Sequence, residues 1–192
     1  MRVSCILRRR ELNDKPVDLI VFPEGVCWND IEETGLARPD ALIVGAVVEN
    51  GRSRGILRHH GQNQIDYLKV KTDGRTEGTG NIQQNPVYMH RKVCIGVLIC
   101  MDLDHVEFSN AVINSVKSSS VNLKLLCVPA DMGAYWMSGD SLPSSEKYTG
   151  IHVILCNHVN THQSRCKSFI TDKEGNKIVV QNNREPICAE LP

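Results

Sequence analysis

Three side chains in this sequence have the types that nucleophilic chemistry uses: a thiol, a carboxylate and an amine. Cys100 lies near the end of Lys92-Val-Cys-Ile-Gly-Val-Leu-Ile-Cys-Met-Asp102, an apolar run. A thiol between the carboxyl end of a strand and the start of a helix is where free amide groups and the helix dipole favour thiolate and receive an oxyanion. Glu24 closes Asp18-Leu-Ile-Val-Phe-Pro-Glu-Gly25, where Pro23 fixes the chain just before it and places the carboxylate at a sheet rim. Lys69 closes Asp66-Tyr-Leu-Lys69, toward the end of a strand. In general a carboxylate takes the proton from a thiol, the thiolate attacks an electrophilic carbon, and an ammonium steadies the charge that develops. Taken one at a time, each residue has a plainer reading: a buried core thiol, a turn glutamate and a solubility lysine.

Short apolar, β-branched runs separated by turn residues must position these groups. Strands are predicted over Val17–Phe22, Ala41–Val48, Gly55–Arg58, Ile65–Val70, Val93–Ile99, Leu123–Val128, Ile151–Cys156, Lys167–Thr171 and Ile178–Val180, with turns at Glu49-Asn-Gly51, Gly61-Gln-Asn63 and Asp172–Gly175. Alternation puts Cys94, Gly96, Leu98 and Cys100 on one face of their strand. One helix is well marked. Asp104 and Glu107 form a capping-box pair, Phe108, Val112 and Val116 fall on one face, and Lys117–Ser120 ends it. A second, weaker helix is expected from Ser141 to Tyr148. Occasional helix among many strands predicts an α/β, α+β-like layered domain spanning 1–192. No internal repeat or interdomain linker is visible.

Order and spacing of the three residues resemble the nitrilase, or carbon–nitrogen hydrolase, superfamily over most of the chain. Asp18–Glu24 resembles the family's strand ending in Phe-Pro-Glu, Tyr67-Leu-Lys69 its Tyr-x-Lys element, and Gly96-Val-Leu-Ile-Cys-Met-Asp102 the stretch around its nucleophile, with Glu107 soon after. Pro129, Asn157 and the hairpin Ser168 through Gly175 follow in the family's order. The resemblance implies a four-layer α-β-β-α sandwich, reduced in helices, and a catalytic triad of Glu24, Lys69 and Cys100. It implies attack of Cys100 on a small non-peptide amide or nitrile, a thioester intermediate, and the Met101 backbone N–H as an oxyanion donor. Glu77 stands where many members place an additional glutamate, and reads equally as a polar loop residue. Asp131, Tyr135 and Trp136 fall in the region that lines the family's pocket, with core or interface roles equally open for the aromatics. Family-typical helices are short or missing between Arg8 and Val17, between Gly25 and Asp40, and before Ile151. That truncation supports one alternative, a catalytically weak nitrilase-like binding or assembly subunit. Another, an isochorismatase-like cysteine hydrolase, also sets a carboxylate, a lysine and a strand-end cysteine together, but the meander before Lys69 and the Phe-Pro-Glu sequence argue against it.

Composition narrows the field further. Lys plus Arg and Asp plus Glu are 22 each, so no net field recruits nucleic acid or membrane. Arg8-Arg9-Arg10 reads as a solvated turn. The eight cysteines form no CxxC pair, and five of them (Cys5, Cys94, Cys100, Cys127 and Cys156) sit in apolar runs, as free thiols do in a reducing compartment. Metal binding at His158 and His162 has low weight because both follow a strand. No cofactor is expected, the expected location is cytoplasmic, and the expected partners are a small-molecule substrate and another copy of the chain in a homo-oligomer.

Overall fold

A computed structural model of the protein describes residues 1–6, 16–71, 80–131, 145–157, 167–181 and 186–192. Among the described residues twelve strands form two six-stranded sheets. One has the order β12-β1-β2-β3-β4-β5, from β1 (Arg2–Cys5), β2 (Leu19–Glu24), β3 (Leu42–Glu49), β4 (Arg52–His59), β5 (Gln62–Leu68) and β12 (Ile187–Glu190). The other has the order β11-β10-β9-β8-β7-β6, from β6 (Val87–His90), β7 (Val93–Val97), β8 (Leu123–Ala130), β9 (His152–Asn157), β10 (Phe169–Thr171) and β11 (Lys177–Val180). Both sheets repeat one pattern. Three parallel strands (β1-β2-β3 and β7-β8-β9) run into two antiparallel hairpin strands, and an antiparallel strand closes the far edge. The topology is therefore repeated although no repeat is visible in the sequence.

Alternation along the strands sorts the first sheet into two faces. Val3, Leu19, Val21, Leu42, Val44 and Leu57 join the second sheet in one core, while Ile20, Phe22, Ile43, Val47 and Ile56 form a second core with Ile31. Ile31 belongs to α1 (Trp28–Ala37), which covers the outer face; α2 (Val106–Ser118) covers the other sheet through Phe108, Val112, Ile113 and Val116. Hence the layers run α-β-β-α, as expected.

Several local expectations change. The brief connection from Gly25 to Asp40 contains α1, whose start has no side-chain cap and whose buried residues are only Ile31, Thr34 and Gly35, a weak signal in sequence. The capping residue of α2 is His105, not Asp104: its Nδ1 accepts the Phe108 N–H at 3.3 Å, while Asp104 lies in the preceding 3-10 turn. The weaker helix reduces to one described turn, α3 (Ser145–Tyr148). Strand β6, close to β7 in sequence, and strand β12 were not signalled by the pattern. The predicted hairpin turn at Asn50-Gly51 is left-handed at both residues, φ 51° and 73°, as a tight turn between twisted strands requires.

Candidate active site

Glu24 reaches the space between the sheets through a bulge. Val21 pairs with Val44, yet Glu24 pairs with Ala46, so β2 carries one extra residue at Phe22-Pro23. Strict alternation would turn Glu24 onto the α1 side; the bulge turns it inward, where Ala46 lies. Lys69 follows β5 two residues after Tyr67, which also faces inward. The Lys69 N–H donates to the Ser53 carbonyl at 2.9 Å, fixing its register against β4. The two charged side chains are almost fully buried, at 7% and 4% exposure. Lys69 Nζ donates to Glu24 Oε1 at 2.6 Å.

Cys100 comes from the opposite sheet. Strand β7 ends at Val97, and Cys100 opens a 3-10 turn (Cys100–Asp104) with left-handed backbone, φ 40°. The alternation expected from Gly96 to Cys100 is broken there. An added Cβ at Gly96 would lie 2.8 Å from Val116 of α2, whereas the Cys100 thiol lies where Glu24, Lys69 and the Asp131 backbone all act on its ionisation. Non-glycine residues rarely adopt such a φ, and this one aims the thiol away from its own strand's helix-covered face. Burial pushes the Cys100 thiol up to about 12, the Glu24 carboxylate adds to this, and Lys69 and the Asp131 amide oppose it. At neutral pH the sulfur is therefore a thiol, under the influence of a carboxylate that is already paired with Lys69.

Two neighbours not anticipated as site residues hold these parts. Asp102, fully buried, accepts the Val70 and Lys71 N–H groups on Oδ1 at 2.9 and 2.8 Å, and the Tyr67 hydroxyl on Oδ2 at 3.1 Å. The Tyr67 hydroxyl in turn accepts the Ile99 N–H at 2.7 Å. Lys69 and Cys100 are thus each flanked by residues tied to one Asp102–Tyr67 pair, which clamps the two loops together. Ser53, buried in β4, donates its hydroxyl to Glu24 Oε1 at 2.7 Å. A serine in Gly51-Arg-Ser-Arg54 looks like part of a polar edge; only the β3–β4 register reveals that it faces inward.

The remaining candidates divide. Met101 follows Cys100 in the 3-10 turn. Asp131 directly follows β8 with an exposed side chain, and its backbone, not its carboxylate, touches Cys100. Glu107 is exposed on the first turn of α2. Glu77, Tyr135, Trp136, His158 and His162 lie outside the described residues. Asn157 and Ser168 lock β9 to the following hairpin, Ser168 Oγ accepting the Asn157 N–H at 3.0 Å. Among the described residues no group of three His, Cys, Asp or Glu is placed to hold a metal ion, and no helix is long and apolar enough to cross a membrane.

No family model and no curated protein sequence matches the chain. Solved structures do. An amidase from Nesterenkonia sp. AN1 superposes with a TM-score of 0.76 at 17% identity, covering 100% of this chain and 93% of that one. Nit3 of Saccharomyces cerevisiae, a member of branch 10 of the nitrilase superfamily, gives 0.72 at 13% identity over 98% and 89%. A glutamine-dependent NAD+ synthetase from Acinetobacter baumannii gives 0.72 at 15% identity, covering 100% of this chain and 45% of that one. Two facing sheets, helices outside them and agreement over nearly the whole length give this chain the fold of the nitrilase superfamily.

Proposed function

We propose that the protein is an amidase-type hydrolase of carbon–nitrogen bonds other than peptide bonds, acting on a small amide or nitrile through a thioester on Cys100. The observation that carries this reading is the convergence of the three side chains in one buried space: Lys69 Nζ donates to Glu24 Oε1 at 2.6 Å, and both groups act on the ionisation of the buried Cys100 thiol. A thiol held near 12 is a poor nucleophile unless a base takes its proton during attack, and Glu24 is the carboxylate whose charge acts on it. As sulfur bonds to the carbonyl carbon, charge develops on the carbonyl oxygen; Lys69 and the Met101 N–H are its donors. Glu24 returns the proton to the departing ammonia or amine. It then takes one from water, whose oxygen attacks the thioester, and the thiol leaves reprotonated. Cofactors play no part in this scheme. In support, small amides reach the active-site cysteine of a structural neighbour: in mutants of the Nesterenkonia amidase, acrylamide adds to that cysteine, as does the acetamide moiety of fluoroacetamide.

Ammonia release over a panel of short amides, ureides and nitriles tests the proposal. The expected outcome is turnover of at least one short amide by the wild type and loss of roughly a thousandfold or more in Cys100→Ala. Turnover that survives Cys100→Ala refutes the mechanism.

A further inference from the structure

We infer that Ser53 is a positioning residue for the base: its hydroxyl, with the Lys69 ammonium, occupies Glu24 Oε1 and so reserves Oε2 for the proton of the Cys100 thiol. The inference rests on the reading of Glu24 as the base. Its own observations are geometric. Ser53 Oγ donates to Oε1 at 2.7 Å, Lys69 Nζ donates to the same oxygen at 2.6 Å, and both donors are buried, Ser53 at 1% exposure. A carboxylate rotates easily about its last torsion, and one donor on one oxygen leaves that rotation open. Two donors converging from β4 and from the end of β5 fix the carboxylate plane, since either swap of oxygens would break two charge-assisted bonds at once.

The backbone that delivers Ser53 supports the same role. Its carbonyl accepts the Lys69 N–H at 2.9 Å, so one residue sets both the height of the lysine on β5 and the orientation of the carboxylate on β2. Ser53 lies opposite Val48 on β3, the strand between it and Glu24, and a serine is short enough to meet the glutamate across that strand without filling the site. The flanking Arg52 and Arg54 alternate onto the other face, where Arg54 pairs with Asp66 and Glu49. Ser53 is thus the β4 side chain at this level that faces inward.

The test compares Ser53→Ala, which removes the hydroxyl, Ser53→Cys, which keeps its size but donates weakly, and Ser53→Thr, which restores it. Two readouts are followed from about pH 4 to about pH 9: kcat/KM on the best short amide, and the rate at which iodoacetamide alkylates Cys100, read by peptide mapping. An unassisted thiol gains about tenfold in alkylation rate per pH unit below its pKa; base-assisted Cys100 is expected to be flat over most of this range. In Ser53→Ala and Ser53→Cys, both rates fall about tenfold on the acid side and the acid limb moves up by about one unit, because the carboxylate anion has lost a donor, while KM stays close to wild type. Ser53→Thr recovers the wild-type limb. Wild-type profiles in Ser53→Ala overturn the inference, and so does a loss of amplitude with the limb unmoved, the signature of mere destabilisation. A wild-type Cys100 that alkylates with the tenfold slope of an unassisted thiol overturns instead the reading of Glu24 as base, and the inference with it.

Discussion

Replacing Asp102 by asparagine separates the electrostatic cost of the loop clamp from its geometry. Asparagine keeps an oxygen for the Val70 and Lys71 N–H groups, both of which bind Oδ1, and loses only the acceptor of the Tyr67 hydroxyl. Burial raises the Asp102 carboxyl from 3.8 to about 6, against the pull of the Lys71 and Val70 amides and of Tyr67. A carboxyl raised on folding contributes stability that is fully present below its unfolded value and is lost as pH rises through its folded one. At about pH 5 the wild type should hold about 1.4 kcal/mol of this stabilisation, and at about pH 7.5 almost none. The substituted amide cannot titrate, so the stability difference between Asp102→Asn and wild type isolates this contribution; all other groups cancel. Urea unfolding at the two pH values should therefore show the variant losing about 1.4 kcal/mol more, relative to wild type, at the lower pH, or roughly 3 to 6 °C in Tm. A difference that stays constant with pH, or grows toward alkaline pH, refutes the argument that burial dominates at Asp102.

Two other perturbations follow from the same packing. An added Cβ at Gly55 would lie 2.2 Å from the Tyr67 ring, so Gly55→Ala should displace that ring, cost about 1 to 3 kcal/mol and lower the urea midpoint at unchanged slope; an unchanged midpoint contradicts it. His59 ends β4 against His60 and His90, with ring centroids 3.8 and 4.4 Å away. Burial, then His60, His90 and Arg91, lower its pKa below 6.5, so neutral His59 supports stability above that value and the support is lost as pH falls. His59→Gln should flatten the fall in urea midpoint between about pH 7.5 and about pH 5.5, and an equally steep fall shows that the cluster is not responsible.

Glu24, Lys69 and Cys100 were legible because each sits beside a local signal: a Phe-Pro-Glu strand end, a Tyr-x-Lys strand end and an apolar run breaking toward a helix. The core strands and the buried stripe of α2 were legible for the same reason, since alternation and 3.6-residue spacing act within a few residues. What stayed hidden depends on pairing across the sheet or across the sandwich. Asp102 looks like a helix-start acid and is in fact an acceptor for residues 31 to 35 positions away. Ser53 looks exposed because its neighbours are arginines. The inward turn of Glu24 depends on a bulge that no residue pattern announces beyond Pro23 itself. Strand β12 is four residues of mixed polarity, and its partner is β1.

That last pairing sets an order of events during synthesis. Arg2 lies opposite Glu190 and Cys5 opposite Ile187, so β1 keeps an unpaired edge until β12 has been made. Glu24, Ser53 and Lys69 emerge from the ribosome long before then, and Cys100 well before, yet the sheet that carries the first three remains open on one side. Closing it joins positions nearly the whole chain apart, the kind of contact that forms slowly and late. In that interval the edge of β1 is a template for strand addition by another molecule. The nascent chain is therefore open to mispairing at the β1–β12 seam after Glu24, Ser53, Lys69 and Cys100 have all been made.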